Sequence, residues 1–367
     1  MTVDRITLTH VRVPLHEPFK ISSGEVAEKD AILVGVHSEG LIGYGESSPM
    51  AGSFYSAETP ETAWNCLENQ LIPLIRRSSV SSIDELNKSL DTVPDNSFAK
   101  AGIETAFWDL EGQKNNQPLC VRLGGKRSEV ESGLAVGIFP TVRELLLAIE
   151  KHLVEGYKRV KIKIQPGWDM KPLTEVRGEF GAIQLMVDAN CAYTRNDLDH
   201  LKALDNFDLM MVEQPLKEDD LQGHAQLQSM LATAVCLDES AKDVPTVRKA
   251  IGMKSCRIVN IKIQRVGGLQ NAKRMHDLCA DSGVPVWAGT MPELGIGGIQ
   301  TAHLATLSNF KFPTDVESSK RWFVDDIIDP LIEVHDGMIT LPRGSGNGCR
   351  VDDRKVRKYT VREKSFK

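Results

Sequence analysis

The sequence lacks the features that would assign it to a membrane, secreted or nucleic-acid-binding class. Its 367 residues contain no uninterrupted apolar run long enough to span a bilayer. The seven cysteines are scattered and form no Cys-x-x-Cys pair, so we expect reduced thiols that mostly serve packing. A net charge of −6 provides no excess of basic residues for nucleic acid or anionic lipid. The first residues have no signal-peptide layout, and we expect a cytoplasmic protein without nucleic-acid or membrane partners.

The sequence does contain an ordinary globular composition, 41% hydrophobic and 26% charged, over a length sufficient for two domains. Alternating apolar residues predict antiparallel strands at 6–13 and 31–45, and helical patterns follow as far as Gly124-Gly125. From Gly133 onward strands alternate with helices, which is typical of a parallel sheet. We therefore predict an α/β protein with an α+β capping domain at 1–128, a barrel domain at 129–336 and a C-terminal segment at 337–367 that returns to the capping domain.

Two Gly/Ser-rich segments with apolar tips interrupt the first part of the chain, at 19–24 and 47–55. They would serve either as plain connecting loops or as a lid over a site elsewhere in the protein. Their apolar residues are Phe19, Met50, Phe54 and Tyr55.

Charged residues recur with a regular step in the second half of the chain. Each lies in a short apolar run, and the period suits one strand, one helix and two short loops. Equivalent places in consecutive units predict one ring of side chains at one end of a barrel. The step is 25 residues from Lys163 to Asp188, from Asp188 to Glu213 and from Glu213 to Asp238, and it is 24 residues from Asp238 to Lys262.

The first member of this series lies in the segment from Val160 to Ile164. Lys161 and Lys163 would share one face of a strand there. Alone, this pattern suits an edge strand with a solvated lysine face, but the downstream spacing favours a barrel strand. With later strands predicted at 284–287 and 311–315, seven or eight units would close into a (β/α)-barrel.

Three carboxylates on successive strands, with no histidine or cysteine at matching places, predict a site made of hard oxygen ligands. Mg²⁺ is the favoured ion, and Mn²⁺ is its usual substitute. Without a cation, three buried carboxylates would repel one another strongly. The alternative is a structural cluster in which the lysines supply the compensating charge.

The lysines are predicted on strands two and six, which are diametrically opposite in an eight-stranded ring. A substrate held on the metal would then have one amine on each face. This arrangement suits removal of a proton from the carbon next to a carboxylate, with the metal stabilising an enediolate and a lysine as base. The metal and a second lysine, such as Lys161, would lower the pKa of the base. Lys161 could also bind the substrate carboxylate.

Together these segments resemble the enolase superfamily, muconate-cycloisomerase subgroup, which uses a Lys or His base with Mg²⁺. The resemblance covers nearly the whole chain and implies a modified TIM barrel with an N-terminal capping domain. It implies that Lys163 and Lys262 are the acid/base pair and that three carboxylates bind metal: Asp188, Glu213 and Asp238. The motifs that carry it are Lys161-x-Lys163, Val187-Asp188-Ala189-Asn190, Val212-Glu213-Gln214-Pro215, Leu237-Asp238-Glu239-Ser240, and Asn260-Ile261-Lys262 with Val266-Gly267-Gly268.

Within that subgroup the chain most resembles o-succinylbenzoate synthases, which dehydrate their substrate in the menaquinone pathway, and N-acylamino acid (N-succinylamino acid) racemases. The resemblance implies a small carboxylate substrate and a homo-oligomer. Several positions depart from the expected pattern: Ala135 replaces a common serine, Thr290 and Pro292 alter a Gly-Gly-Met-x-Glu segment, and Asp315-Val316-Glu317 approaches the Asp-x-Asp of dipeptide epimerases. The expected substrate-binding or supporting residues are Lys161, Asn190, Glu239, Ala135, Phe19, Met50, Tyr55, Gly289 and Met291.

Other functions stay open on the sequence alone. Within the superfamily the alternatives are a dipeptide epimerase, for which Asp315 and Glu317 would hold the free ammonium, and a muconate cycloisomerase. Outside it, Lys163 or Lys262 could form the Schiff base of an aldolase. A barrel that only binds its ligand is a further alternative.

Overall fold

The computed structural model describes residues 3–52, 55–78 and 80–367. The first part of the chain is an antiparallel sheet of β1 (Arg5–Ile21), β2 (Gly24–Ser38) and β3 (Leu41–Ser47). Ile6 and Leu8 on β1 are fully buried, following the period-2 alternation expected of a sheet with one face on the core. The turn between β2 and β3 contains Gly40 with a φ of 82°, a conformation that glycine adopts without steric cost.

The segment from Phe19 to Gly24 differs from the predicted loop. β1 continues through it as the outer end of a hairpin with β2, in which Phe19 pairs with Val26. A change of register after residue 14 separates this end from the rest of the β1–β2 pair. At the tip, Ser22 Oγ donates to the carbonyl oxygen of Ala189, 3.3 Å away. The hairpin end thus lies on the barrel.

Five helices among the described residues follow this sheet in the chain, and the first and fourth of them contact it. They are α1 (Pro60–Cys66), α2 (Ile72–Arg77), α3 (Ile83–Leu90), α4 (Ser97–Lys114) and α5 (Leu119–Leu123). The first begins at Pro60, because Thr59 accepts a hydrogen bond from the Thr62 amide and Pro60 occupies the first turn. A π-helical turn at Leu67–Leu71 joins α1 to α2. β3 lies so close to α4 that a Cβ on Gly45 would come within 2.1 Å of a carbonyl oxygen of that helix.

The second part of the chain builds a parallel barrel sheet whose strands follow one another in sequence order. A short strand, β4 (Glu129–Glu131), precedes it. The barrel strands are β5 (Leu134–Val136), β6 (Val160–Lys163), β7 (Leu185–Asp188), β8 (Val212–Glu213), β9 (Val235–Leu237), β10 (Ile258–Ile261) and β11 (Val286–Ala288). The helices between and after them are α6 (Val142–Leu153), α7 (Met170–Phe180), α8 (Leu198–Leu201), α9 (Leu221–Met230), α10 (Val244–Gly252), α11 (Ile263–Val266), α12 (Leu269–Asp281) and α13 (Gly295–Leu304), with 3₁₀ turns at Arg195–Asp197 and Lys202–Phe207.

The predicted eighth strand is replaced by an irregular segment. Residues 310–315, all within the described part of the chain, form isolated parallel bridges instead of a regular strand. The Gly133 amide donates to the Thr314 carbonyl, and the Asp315 amide donates to the Ala288 carbonyl. Pro313 has no N–H for a ladder, which accounts for part of the irregularity. These bonds connect β11 to β5 through the segment and close the ring.

The remaining elements are α14 (Ser319–Trp322), β12 (Ile328–Asp329), β13 (Met338–Thr340), β14 (Arg350–Val351), α15 (Asp353–Tyr359) and β15 (Thr360–Phe366). β13 pairs with β4, and β12 pairs with β14. β15 adds to the first sheet beside β1, with Ile6 opposite Phe366. The domain boundaries at 128 and 336 stay predictions.

Five buried side chains fill the barrel interior below the strand ends: Met186, Met211, Cys236, Ile258 and Trp287. The interior is therefore a packed core. Among the helices of residues 3–52, 55–78 and 80–367, none combines the length and apolar character needed to cross a membrane.

Candidate active site

Five charged side chains lie at the C-terminal ends of consecutive barrel strands. Lys163, Asp188 and Glu213 are the last residues of β6, β7 and β8. Asp238 and Lys262 directly follow β9 and β10. All five are buried. The regular step in the sequence places them side by side, because each strand–helix unit advances the ring by one strand.

Two ion pairs lie on opposite sides of this ring. Lys163 Nζ is 2.6 Å from Asp188 Oδ2, and Lys262 Nζ is 2.9 Å from Asp238 Oδ2. Lys163 also donates to Asn190 Oδ1 at 2.9 Å. The compensating lysines that the structural-cluster alternative requires are thus present in the same ring.

Lys161 lies deeper in the barrel, and it contacts acids of the ring as well as an acid outside the ring. Its Nζ is 3.4 Å from Glu213 Oε2 and 3.8 Å from Asp188 Oδ2. It makes its shortest contact with Asp315, whose other oxygen accepts from Arg159 at 2.8 Å. The sequence interpretation missed Arg159, although it precedes Lys161 and Lys163 at the same period of two on one strand face.

Tyr55 from the capping domain joins the Lys262 side of the site. Its hydroxyl accepts from Lys262 Nζ at 2.9 Å and donates to Asp238 Oδ2 at 3.2 Å. Arg265 donates to the same hydroxyl at 2.5 Å and lies 3.3 Å from Asp238 Oδ1. Arg265 was also missed, and its position one helical turn after Lys262 is the signal that could have indicated it.

The predicted supporting residues Asn190 and Glu239 link the acids of the ring. Asn190 donates from its amide to Asp188 Oδ1 at 2.9 Å and from Nδ2 to Glu239 Oε1 at 3.0 Å. Asn190 has a φ of 43°, in the left-handed region that non-glycine residues seldom occupy. Such strain is often found at functional sites.

Burial and mutual repulsion perturb the acids of the ring. Burial, followed by the nearby charge of Asp188, raises the pKa of Glu213 to about 8. Burial, followed by the charge of Asp238, raises the pKa of Glu239 to about 7. Burial also opposes ionisation of Asp188, but the Lys163 and Lys161 charges outweigh it and lower the pKa of that carboxyl. Positive charge therefore stabilises the Asp188 anion, whereas burial and neighbouring acids oppose ionisation of Glu213 and Glu239.

The donor set fits a divalent cation, although the side chains now face the lysines. Among the described residues, no three His, Cys, Asp or Glu side chains converge as a metal-binding group. Three buried carboxylates on adjacent strands nevertheless supply the hard oxygens that Mg²⁺ prefers. Burial and the charge of Asp188 raise the pKa of Glu213 although Lys161 opposes them. The residues able to hold such an ion are Asp188, Glu213 and Asp238.

The lysines open into a pocket of about 400 Å³, a volume that includes space open to solvent. The capping domain and the barrel both line it. The predicted residues that line it are Phe19, Met50, Tyr55, Ala135, Lys161, Lys163, Lys262 and Met291. Phe54, predicted beside them, lies outside the described residues.

Gly289, another predicted site residue, lies behind this pocket. A Cβ there would come within 2.4 Å of Asn260 Oδ1 and 2.8 Å of Lys262 Cε. Its lack of a side chain makes room for Lys262. Ala135 contributes its backbone, since its amide donates to Glu317 Oε1 at 2.8 Å.

A parallel barrel, a capping domain over its C-terminal end and a ring of buried acids and lysines define a class of metal-assisted barrel enzymes. Residues 144–355 match the family described as enolase C-terminal domain-like. Residues 4–124 match the mandelate racemase / muconate lactonizing enzyme N-terminal domain. The chain belongs to the enolase superfamily, a family of lyases and isomerases.

The chain is similar over its full length to two groups of curated relatives. It is 45% identical to the o-succinylbenzoate synthase of Geobacillus stearothermophilus over 100% of this chain and 98% of that protein. It is 38% identical to the N-succinylamino acid racemase of Thermus thermophilus, over 96% of this chain and 95% of that protein. A crystal structure of an enolase superfamily member from Listeria innocua superposes with a TM-score of 0.95 at 35% identity, covering 100% of this chain and 99% of that one. These relationships confirm the expected family, barrel and capping domain.

Proposed function

We propose that this protein removes the proton next to the carboxylate of a small substrate, as an o-succinylbenzoate synthase, an N-succinylamino acid racemase, or both. The observation that carries the proposal is the placement of two buried lysines on opposite sides of three buried carboxylates, facing one pocket. Lys163 and Lys262 stand on the second and sixth barrel strands, so a substrate between them presents one face to each. The likeness to proteins with these two names supports the choice of reaction.

Asp188, Glu213 and Asp238 would hold Mg²⁺, with Mn²⁺ as a substitute. When bound, the ion supplies electrostatic stabilisation for the negative charge that develops on the substrate carboxylate. Lys161 adds a further positive charge beside two of these acids. These roles follow from the chemistry of the side chains and from the resemblance to the superfamily.

The two lysines would divide the proton transfers. In racemisation, one Nζ takes the proton from one face and the other returns a proton to the opposite face. In dehydration one lysine takes the proton and can return it to the hydroxyl group, which leaves as water when its C–O bond breaks, while the opposite ammonium stabilises the charge that forms in between. Burial alone would lower the pKa of Lys262, but the charge of Asp238 outweighs burial and holds it well above its ordinary value. In the arrangement seen here, the charge of Asp238 therefore favours the ammonium form of Lys262.

The pocket walls suit a carboxylate with a succinyl or similar acyl arm. Phe19 and Met50 reach the pocket from the capping domain, and Met291 reaches it from the loop after β11. These apolar side chains would cover the arm, while the polar ring holds the reacting end. The dipeptide alternative needs free acids for an ammonium group, but Asp315 is already paired with Arg159 and Lys161. We therefore place dipeptide epimerisation second.

The experiment is substrate α-proton exchange in D₂O, followed by NMR, with the purified protein and MgCl₂. The panel contains N-succinylamino acids, dipeptides and the cyclohexadiene precursor of o-succinylbenzoate. We expect exchange or dehydration with at least one succinylated compound, and loss of it after chelation of the metal. Rapid dipeptide exchange with neither other reaction would move the assignment to an epimerase. Trapping of a covalent adduct by borohydride would instead support the Schiff-base alternative.

A further inference from the structure

Asp315 has no place in the proton transfers above, yet it contacts a residue of the ring. It is buried, with 5% of its surface exposed, on the irregular segment that closes the barrel. Its Oδ2 makes the shortest contact of the Lys161 ammonium, closer than Glu213 or Asp188. The Lys161 ammonium thus lies near three carboxylates, and only Asp315 among them is outside the proposed metal-binding set.

The Asp315 carboxylate is held from behind. Its Oδ1 accepts from Arg159 Nη2 at 2.8 Å, and its own amide donates to the Ala288 carbonyl at 3.0 Å. Arg159 is 1% exposed and its Nη2 also donates to the carbonyl oxygens of Pro313 and Thr314, at 3.2 Å each. These bonds fix the carboxylate relative to the barrel.

Trp287 fixes the two cations around this carboxylate. The Arg159 guanidinium lies 5.2 Å from the centre of the Trp287 ring and the Lys161 ammonium lies 4.9 Å from it. A cation within about 6 Å of an indole centre is attracted to its face. Lys161 is thereby drawn toward the indole and Asp315 rather than further over the ring of acids.

A buried ammonium without a nearby anion is costly, so Lys161 must pair with some carboxylate. If Asp315 lost its charge, Glu213 and Asp188 would be the nearest remaining partners, at 3.4 and 3.8 Å. The ammonium would then compete for the oxygens that a divalent cation needs.

We propose that Asp315, held by Arg159, is a positioning residue that takes the shortest contact of the Lys161 ammonium and so limits how strongly Lys161 competes with the divalent cation for the oxygens of Glu213 and Asp188. This inference rests on the proposed function, because it takes those two acids as metal ligands. It gives Asp315 a role within the protein, different from binding the ammonium of a dipeptide.

The test is Mn²⁺ binding without substrate, measured by electron paramagnetic resonance of free Mn²⁺ and by calorimetry. The proteins are wild type, Asp315→Asn, Lys161→Met and the double variant. We expect Asp315→Asn to raise the dissociation constant by about tenfold or more, the size typical of groups that orient metal ligands. In the Lys161→Met background the same change should alter it by less than about twofold, since the competing ammonium is gone.

Asp326→Asn is the matched control. Asp326 is a buried acid on the same side of the barrel, and its partners are Ser319 Oγ and the amides of Gly295 and Ile327, not a lysine of the ring. We expect it to bind Mn²⁺ like wild type. Thermal melts and circular dichroism of every variant check that the fold is retained.

Equal weakening by Asp315→Asn in both backgrounds would overturn the proposal, since the effect would then be one of charge alone. Unchanged Mn²⁺ binding by Asp315→Asn would also overturn it. Should Asp315→Asn fail to fold, Lys161→Met decides by itself: it should bind Mn²⁺ at least as tightly as wild type, and weaker binding contradicts the competition. Wild-type protein that binds no Mn²⁺ would instead refute the proposed metal site, which is a separate failure.

Discussion

Lys29→Met should weaken the attachment of the capping domain to the barrel. Lys29 is 5% exposed on β2, and its Nζ donates to the Ser48 carbonyl at 3.0 Å. Its charge interacts with three buried acids, Glu46 on β3, Glu293 after β11 and, more weakly, Asp30 on β2. Glu46 in turn accepts from the amides of Leu294 and Gly297, both at 2.8 Å. The lysine thus lies between the capping sheet and the loop that leads into α13.

The expected loss in free energy of unfolding follows from the acids that stay buried without a cation after the substitution. Methionine keeps much of the volume, so little of the cost comes from packing. Removing one partner of a buried ion cluster leaves uncompensated charge and typically costs about 3–5 kcal/mol. Burial, opposed by Lys29, raises the pKa of Glu46 to about 8 in the wild type, and without Lys29 the pKa should rise further. Glu46 in the variant would then hold its proton up to a higher pH, which relieves part of the cost.

Because Glu46 can hold a proton, the loss of stability in Lys29→Met depends on pH. A carboxyl whose pKa is raised by folding contributes stability that is present below its unfolded pKa, near 4.5, and is lost as the pH rises through the folded value of about 8. The loss of stability in Lys29→Met should therefore be larger at pH 8 than at pH 6. Urea denaturation followed by circular dichroism measures it, with the exposed Lys88→Met on α3 as control. A cost below about 1 kcal/mol at pH 8, the size of an ordinary surface change, would refute the reasoning.

Three further outcomes are expected. If the enzyme racemises, Lys163→Ala and Lys262→Ala should each abolish racemisation, and the two variants should exchange the α-proton of opposite enantiomers. The reaction that needs the missing base should slow by about 10²–10⁴-fold or more. Equal exchange of both enantiomers by either variant would contradict the placement of the lysines on opposite sides. Glu213→Gln should retain the fold but lose Mg²⁺-dependent turnover, and full activity in demetallated wild type would contradict the metal site. Burial lowers the pKa of His303 to about 4, so its contribution to stability should fall as the pH drops from about 6.5 toward 4, by about 1.4 kcal/mol per pH unit at most. His303→Gln should lose that dependence in urea titrations at pH 7 and 5, and an unchanged dependence would assign it to other groups.

The sequence by itself determined the class of fold and the ring. A step of 25 residues between acids and lysines suits units of one strand and one helix, and parallel strands in that order align their ends. The positions of Lys163, Asp188, Glu213, Asp238 and Lys262 at successive strand ends follow from this period. The motifs around these residues also resemble those of the enolase superfamily, and the comparisons confirm this family.

Only the tertiary structure decided how those charges are partnered. Lys161 meets Asp315 across 154 residues of chain, and Lys262 meets Tyr55 across 207. No local pattern encodes contacts of such separation, because they depend on closure of the barrel and on how the capping domain packs against it. The segment at 311–315 was predicted as a strand, but it is irregular in the structure, where Pro313 lacks an N–H for a ladder and only isolated bridges form. The continuation of β1 past Phe19 likewise came from pairing with β2, which overrode the Gly/Ser composition of the segment.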